Sequence, residues 1–429
     1  MDGGTLPPPA EMESEIQQTP AEMESETQPP PLPACVSKVL DDDNLLPEII
    51  VRVGFPTSLV RAASVCRRWF GLASDRAFLR RFRELNSPRL LGFYLAQREY
   101  PDAAARFFPM LPQPPPPELA AVVGRASFKL DFYEGARTDM VGCWNGRVVT
   151  SLHVCHLYSQ DDVRNEIVFV AHSPLCSERG MVVIPALRLP LQEGNFCSYR
   201  QLFFKEEGDA LSFFYVMVES TSAGTNSTLH VCLLQNGDDV WRTHLTLAAD
   251  YLINALSGPK SVLVNNKVYM ARARNEIVVL DLTAASFSTI QLPQGVDFLT
   301  TGTTMLSRAD DDSAVYLIYA KDLKLHIWLH KGGNWLLVDN ICLRDMCAPF
   351  LEDQPTALLR INHVGDYTAE FLFLEMGRFA LYLDVKRRTL HKVYELTRED
   401  RSFGRIYPFL MVWPPIFPAL KDGPASSAT

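Results

Sequence analysis

Between Leu40 and Phe82 apolar residues recur in short runs at helical spacing. Leu45, Leu46, Ile49, Ile50 and Val53 predict a first helix capped by Asp43 or Asn44, with Pro47 tolerated in its first turn. Gly54 and Pro56 stop it. Leu59, Ala62, Ala63 and Cys66 fall at i, i+3, i+4 and i+7 and predict a second helix capped by Thr57 or Ser58, its seam closed by Trp69. Ser74-Asp75 caps a last helix carrying Phe78, Leu79 and Phe82, with Arg76, Arg80, Arg81 and Arg83 on its wet face. The segment therefore reads as about three short helices sharing one apolar seam. So short a unit rarely completes a core, and the seam is expected to lean on a partner or on the following domain.

The period changes after Ala120. Short alternating or apolar strands follow, separated by turn chemistry. Asp139 to Thr150 holds an Asn145-Gly146 hairpin signal, and Asn165 to Ala171 and Leu211 to Val218 read as strands. Ser261 to Ala271 is strand, Asn-Asn turn, strand; Glu276 to Leu282 and Ser286 to Pro293 complete a four-strand set. Comparable units recur at Ala314 to Val338 and Ala369 to Val393. Their spacing of about 45 to 55 residues is the scale of one propeller blade. The fold expected is thus multidomain: a small all-α unit, then a large all-β domain, a β-propeller of six or seven blades, with a large β-sandwich as the competing architecture. The boundaries expected are a Pro/Glu-rich leader over 1–36, the helical unit over 37–85, a linker with a proline-rich break over 86–119, the β domain over 120–420 and a flexible tail over 421–429. The leader repeats PAEMESE at Pro9 to Glu15 and Pro20 to Glu26, a composition that cannot bury a core.

The net charge of −9 belongs to one end of the chain. Residues 1–43 hold ten carboxylates against Lys38, and the remainder carries 40 acidic and 40 basic groups. No chain-wide basic field of the kind nucleic-acid binding needs is present. No apolar run is long enough to span a bilayer, and the N-terminus lacks the features of a secretory signal, so cytosol or nucleus is the expected compartment. Nine scattered cysteines fit buried thiols better than a disulfide framework, and the Asn226-Ser227-Thr228 sequon is then expected to go unused.

Candidate chemistry is sparse. His153, Cys155 and His156 cluster, but on a strand His153 and Cys155 share a face that His156 leaves, so they do not converge on one metal. Cys342 and Cys347 are too far apart for a zinc-knuckle pair, and the Asp310-Asp311-Asp312 loop lacks the alternation of a calcium site. No nucleophile-elbow, phosphate-loop, dinucleotide or H-E-x-x-H motif occurs. No cofactor, metal site or catalytic constellation is expected.

The run Leu59 to Trp69, with its V-C-x-x-W element, and Ser74 to Phe82, with S-D-x-x-F-L, resembles the F-box of plants, in particular the grass type. The opening departs from the family: Leu40 is followed by Asp41 and Pro47 sits later. The later half is similar to F-box-associated, kelch-like β domains at Cys143 to Val148, Asn266 to Tyr269, Asp281-Leu282, Leu292-Pro293, Ile327-Trp328 and Trp335. The resemblance implies a non-catalytic substrate receptor of a Skp-cullin-F-box ubiquitin ligase. The helical unit would grip a Skp-type adaptor, and through it a cullin, by Leu40, Leu45, Leu46, Ile49, Ile50, Val53, Leu59, Val60, Val65, Cys66 and Trp69. The β domain would bind a protein target, with neither nucleic acid nor membrane as partner. A non-ligase scaffold or a ligand-binding propeller is the alternative.

Overall fold

The computed structural model describes residues 34–86, 89–96, 105–112, 114–130, 137–144, 146–153, 166–189, 191–192, 194–207, 210–221, 226–235, 237–249, 261–272, 275–298, 302–309, 314–352, 357–365, 370–397, 402–411 and 417. The repeated leader, the tail, Asn145, Cys155, His156 and Asp310 to Asp312 lie outside them.

Five short helices open the described chain: α1 (Ala34–Asp41), α2 (Leu45–Ile50), α3 (Pro56–Ala63), α4 (Arg67–Ser74) and α5 (Arg76–Leu85). Pro56 occupies the first turn of α3, where its missing N–H costs nothing, so the stop signal read at Pro56 is also a start signal. The single second helix expected through Trp69 is split in two. Ser64 Oγ turns back to the Arg61 carbonyl at 2.7 Å, and Cys66 is extended ahead of α4. Asp75 caps α5 as expected, its Oδ1 accepting from the Phe78 amide at 2.9 Å. At α2 the capping oxygen belongs to Asp42, which accepts from the amides of Asn44 and Leu45 at 2.8 and 3.1 Å.

The β region is a propeller of six blades. Blade II is β3 (Arg137–Trp144), β4 (Arg147–His153), β5 (Glu166–His172) and β6 (Met181–Arg188); blade III is β7 (Phe196–Glu207), β8 (Ala210–Ser220), β9 (Ser227–Leu234) and β10 (Arg242–Ala248). Blade IV is β11 (Val262–Val264), β12 (Lys267–Arg272), β13 (Glu276–Asp281) and β14 (Ser286–Gln291); blade V is β15 (Thr304–Arg308), β16 (Val315–Lys321), β17 (Lys324–Lys331) and β18 (Asn334–Cys342). Blade VI is β19 (Leu359–Val364), β20 (Phe371–Met376), β21 (Phe379–Asp384) and β22 (Thr389–Glu395). Each is an antiparallel meander whose first strand lies nearest the axis.

Blade I closes the ring and corrects a boundary. Residues 86–119, expected as a linker, contain β1 (Leu90–Leu95) and β2 (Arg106–Pro109), and β1 pairs with the C-terminal strand β23 (Ile406–Leu410) in a three-stranded sheet. The proline-rich break is followed at once by α6 (Pro117–Gly124). Joining the two ends of the chain in one sheet removes the open edges of a linear array of blades. The closure is held on both sides: Asn362 brackets β23 by donating to the Gly404 carbonyl at 2.9 Å and accepting from the Ile406 amide at 2.7 Å, and the Tyr407 hydroxyl donates to the Met140 carbonyl at 2.8 Å.

The repeating sequence elements have a shared geometry. Asp281 ends the third strand of blade IV and accepts from the amides of Thr283 and Ala284 at 2.9 and 2.8 Å; Asp384 does the same in blade VI with the Arg387 amide at 2.8 Å. The Ala284 amide contributes most to holding the Asp281 carboxyl below its usual range, so the turn retains a charged acceptor. Asn265 and Asn266 take positive φ of 50° and 62°, the left-handed turn that Asn tolerates between β11 and β12.

One core joins the helices to the ring. Leu46, Ile50, Leu59, Ala63, Phe78 and Phe82 pack in a single buried cluster with Leu91 and Tyr94 of β1, Leu119 of α6, Val148 of β4, and Tyr407, Phe409 and Met411 at the chain's other end. A register shift between Leu90 and Gly92 lets Leu91 and Tyr94, three apart, face the same cluster, while Phe93 and Leu95 face blade VI. Innermost strands end on the face that carries this cluster, as β23 does at Met411, and begin on the opposite face.

Candidate functional site

The seam read from the sequence divides into two sets. Leu46, Ile50 and Leu59 are 1%, 2% and 0% exposed, sealed by the protein's own chain. These three correct the expected contact set: they anchor the helical unit to blade I and cannot meet a partner without unfolding it. Leu40, Val53 and Trp69 are half-buried, and Leu40 and Trp69 pack on the edge of the same cluster. The outward set is Leu45 at 45%, Ile49 at 42%, Val60 at 46% and Val65 at 63%, together with the exposed Cys66.

Leu45 and Ile49 lie one helical turn apart on α2, hence on one side of it. Val60 is on α3, and Val65 and Cys66 fill the turn into α4. Arg68 on α4 draws that turn toward the α1–α2 junction: its guanidinium donates to the carbonyls of Leu40 and Asp41 at 2.8 and 2.9 Å and to Asp43 Oδ1 at 2.7 Å. Val36 and Val39 of α1 are also exposed, and the sequence reading missed them because α1 begins inside the expected leader. Exposed apolar side chains thus come from α1, α2, α3 and the turn into α4, interspersed with exposed basic residues that include Lys38, Arg52, Arg61 and Arg67.

Several charged residues around this surface are paired, within the unit or with α6. Arg81 grips Glu48 through both guanidinium nitrogens, one at 2.8 Å, and that contact holds the Glu48 carboxyl below its usual range. Arg61 reaches Glu118 of α6 at 3.2 Å. Asn86 caps the far end, donating to the carbonyls of Val51 and Phe82 at 2.9 and 3.0 Å, and Arg89 lies over the Phe55 ring at 4.9 Å while bonding the Gly54 carbonyl. These contacts set the helices' mutual angles. Each exposed pair is worth little in stability.

Elsewhere, titratable groups serve the scaffold. Glu219 on β8 accepts from the Gln192 amide at 2.6 Å, from Asn195 Nδ2 at 2.9 Å, and lies 3.0 Å from His230 Nε2. Burial works to raise its pKa, but those hydrogen bonds outweigh it and keep the carboxyl below its usual range. The β6–β7 connection is thereby pinned to blade III. Cys342 is exposed and Cys347 buried. Among the described residues no group of three His, Cys, Asp or Glu side chains could hold a metal ion, and no helix is long and apolar enough to cross a membrane.

The described residues thus form a helical unit set on a ring of six blades. No curated protein matches the chain. Among solved structures, the N-terminal domain of Nup159 aligns at 13% identity and a TM-score of 0.30, covering 64% of each chain. TolB from Acinetobacter baumannii aligns at 9% and 0.36 over 76% of this chain and 69% of that one. The Cps50 (Swd1) β-propeller domain from Myceliophteria thermophila aligns at 9% and 0.34 over 63% and 88%. Likenesses this distant carry no functional argument. A family profile described as "F-box protein AT5G49610-like, beta-propeller" matches residues 139–417, from the third residue of β3 to past the end of β23. With well over half its length matched, the chain belongs to the family of F-box protein AT5G49610-like β-propellers.

Proposed function

We propose that this protein is the substrate-recognition subunit of a Skp-cullin-F-box ubiquitin ligase, working in cytosol or nucleus. The observation that carries the reading is the division of the helical seam. One set of apolar side chains fixes the unit to the propeller and another, Leu45, Ile49, Val60 and Val65, is left facing outward in a family named for its F-box. An apolar helical surface of this kind suits the groove of a Skp-type adaptor, which in turn binds a cullin. The propeller then holds a protein target on a rigid frame, and ubiquitin transfer is promoted by proximity to the conjugating enzyme carried at the other end of the complex. No chemistry is required of the receptor itself.

Co-purification tests this. Full-length protein, expressed with a purified Skp-type adaptor and cullin, is expected to elute with both as one complex of fixed stoichiometry. Elution of the propeller protein alone at micromolar concentrations of all components would contradict the reading and favour a scaffold acting outside any ligase.

A further inference from the structure

Two hydrogen bonds lay α2 and α5 side by side. Arg81 Nη2 donates to Glu48 Oε2 at 2.8 Å, and Asn86 Nδ2, just past the end of α5, donates to the Val51 carbonyl at 2.9 Å. Arg52, one turn beyond Glu48, brings a second guanidinium to the same Oε2 at 3.9 Å, so two cations share one carboxylate. Ile49 adjoins Glu48 on α2, and Leu85 follows Arg81 by one turn on α5. These two aliphatic side chains are 42% and 59% exposed. The junction of the two helices therefore sets guanidiniums beside uncovered apolar groups.

Positive charge is in excess around it. Residues 44–86 contain eight arginines and three carboxylates. Arg76 and Arg80, one turn apart on α5, are exposed and form no ion pair among the described residues.

The chain ahead of α1 has the opposite chemistry. Residues 1–33 hold seven carboxylates and neither lysine nor arginine, and six of the seven sit in the two PAEMESE repeats, where each methionine is flanked by glutamates. Guanidiniums take carboxylates through paired hydrogen bonds, and the unbranched methionine side chain adapts to an irregular apolar patch. The second repeat is also within reach. The seven residues between Glu26 and Ala34 can cover about 25 Å when extended, against a length of about 12 Å for α1, which packs on α2. Tethering supplies a local concentration in the millimolar range, so a contact that would be weak between separate molecules is populated within one chain.

We infer that the PAEMESE repeats dock back on the α2–α5 junction, glutamates engaging Arg52 and Arg81 and a methionine packing on Ile49 and Leu85. The contact covers Ile49, a member of the outward set, so a docked repeat competes with whatever binds there. That the competitor is a Skp-type adaptor rests on the substrate-receptor reading; the docking itself does not.

The probe is the Ile49 methyl signal in NMR spectra of the full-length protein labelled at isoleucine methyl groups. It is compared with a full-length variant carrying Glu11→Gln, Glu13→Gln, Glu15→Gln, Glu22→Gln, Glu24→Gln and Glu26→Gln. The two Ile49 signals are expected to differ at low salt and to converge as salt rises, while the buried Ile50 signal stays in place. A synthetic peptide of residues 9–26, added to the glutamine variant, should return the Ile49 signal toward its wild-type position. Arg52→Glu, placed in that variant, should weaken the peptide's affinity by about ten-fold or more. If Arg52→Glu lowers the melting temperature, Leu85→Glu, at an exposed position, is judged by the same criterion. An Ile49 signal indifferent to the glutamine substitutions, or a peptide affinity unchanged in the folded surface variant, would overturn the inference. The glutamine variant should also bind the adaptor several-fold more tightly than wild type, and equal affinities would overturn the competition. An Ile49 response in a protein that captures no adaptor would leave the docking standing and remove the ligase reading instead.

Discussion

Leu45 and Leu46, bonded neighbours on α2, face opposite ways: the first stands in solvent, and the second is enclosed with Leu91 of β1 and Phe409 of β23. Replacing each by alanine separates the two roles of the helical seam. Leu46→Ala removes a side chain from a shared core and should cost about 2–5 kcal/mol in chemical denaturation. Leu45→Ala should stay within about 0.5 kcal/mol of wild type. Equal losses would mean that the outward set also carries the fold.

Gly92 tests the closing blade. A Cβ at this position would lie 2.3 Å from the Phe108 carbonyl oxygen and 2.5 Å from Phe107 Cζ, and the first of these is backbone that cannot swing aside. Phe107 in turn stacks on Phe128 at 3.9 Å beneath the helical unit. Gly92→Ala should therefore destabilise the protein by about 1–3 kcal/mol, seen as a lower denaturation midpoint. A midpoint equal to wild type would show that β1 and β2 do not pack as described.

His172 makes stability depend on pH. Burial lowers its pKa to about 4, against about 6.5 in an unfolded chain. Between these values the unfolded protein takes up a proton that the folded protein refuses, so stability falls as pH drops from about 6.5 and the loss is complete near 4. The effect is on the order of 3 kcal/mol. Denaturation midpoints measured across this window should decline more steeply for wild type than for His172→Gln. The same slope in both proteins would place the pH dependence elsewhere.

The parts of the fold visible in the sequence are those set by local contacts. Asn265-Asn266, Asp281 and the alternation of β12 and β13 specify their hairpins within a few residues, and the four strands of blade IV lie where the pattern put them. Blade I was hidden because β1 finds its partner in β23, at the far end of the chain, and no local period reports such a pairing. The seam was legible as apolar, but not in its division. Helical spacing put Leu59 on the seam, and Val60 entered the contact set only through the F-box resemblance; the packing of the shared cluster is what shows Leu59 sealed while Val60 stays exposed. For the same reason a Leu59→Ala variant reports stability and says nothing about a docking surface.

The most direct test of the account uses the outward set alone. Leu45→Glu combined with Ile49→Glu keeps good helix formers on α2 and adds charge where side chains already meet water. The folded double variant, with a wild-type melting temperature, is expected to lose Skp-type adaptor binding in a calorimetric titration by about 100-fold or more. Wild-type affinity in that variant would contradict the claim that this surface is where the adaptor docks.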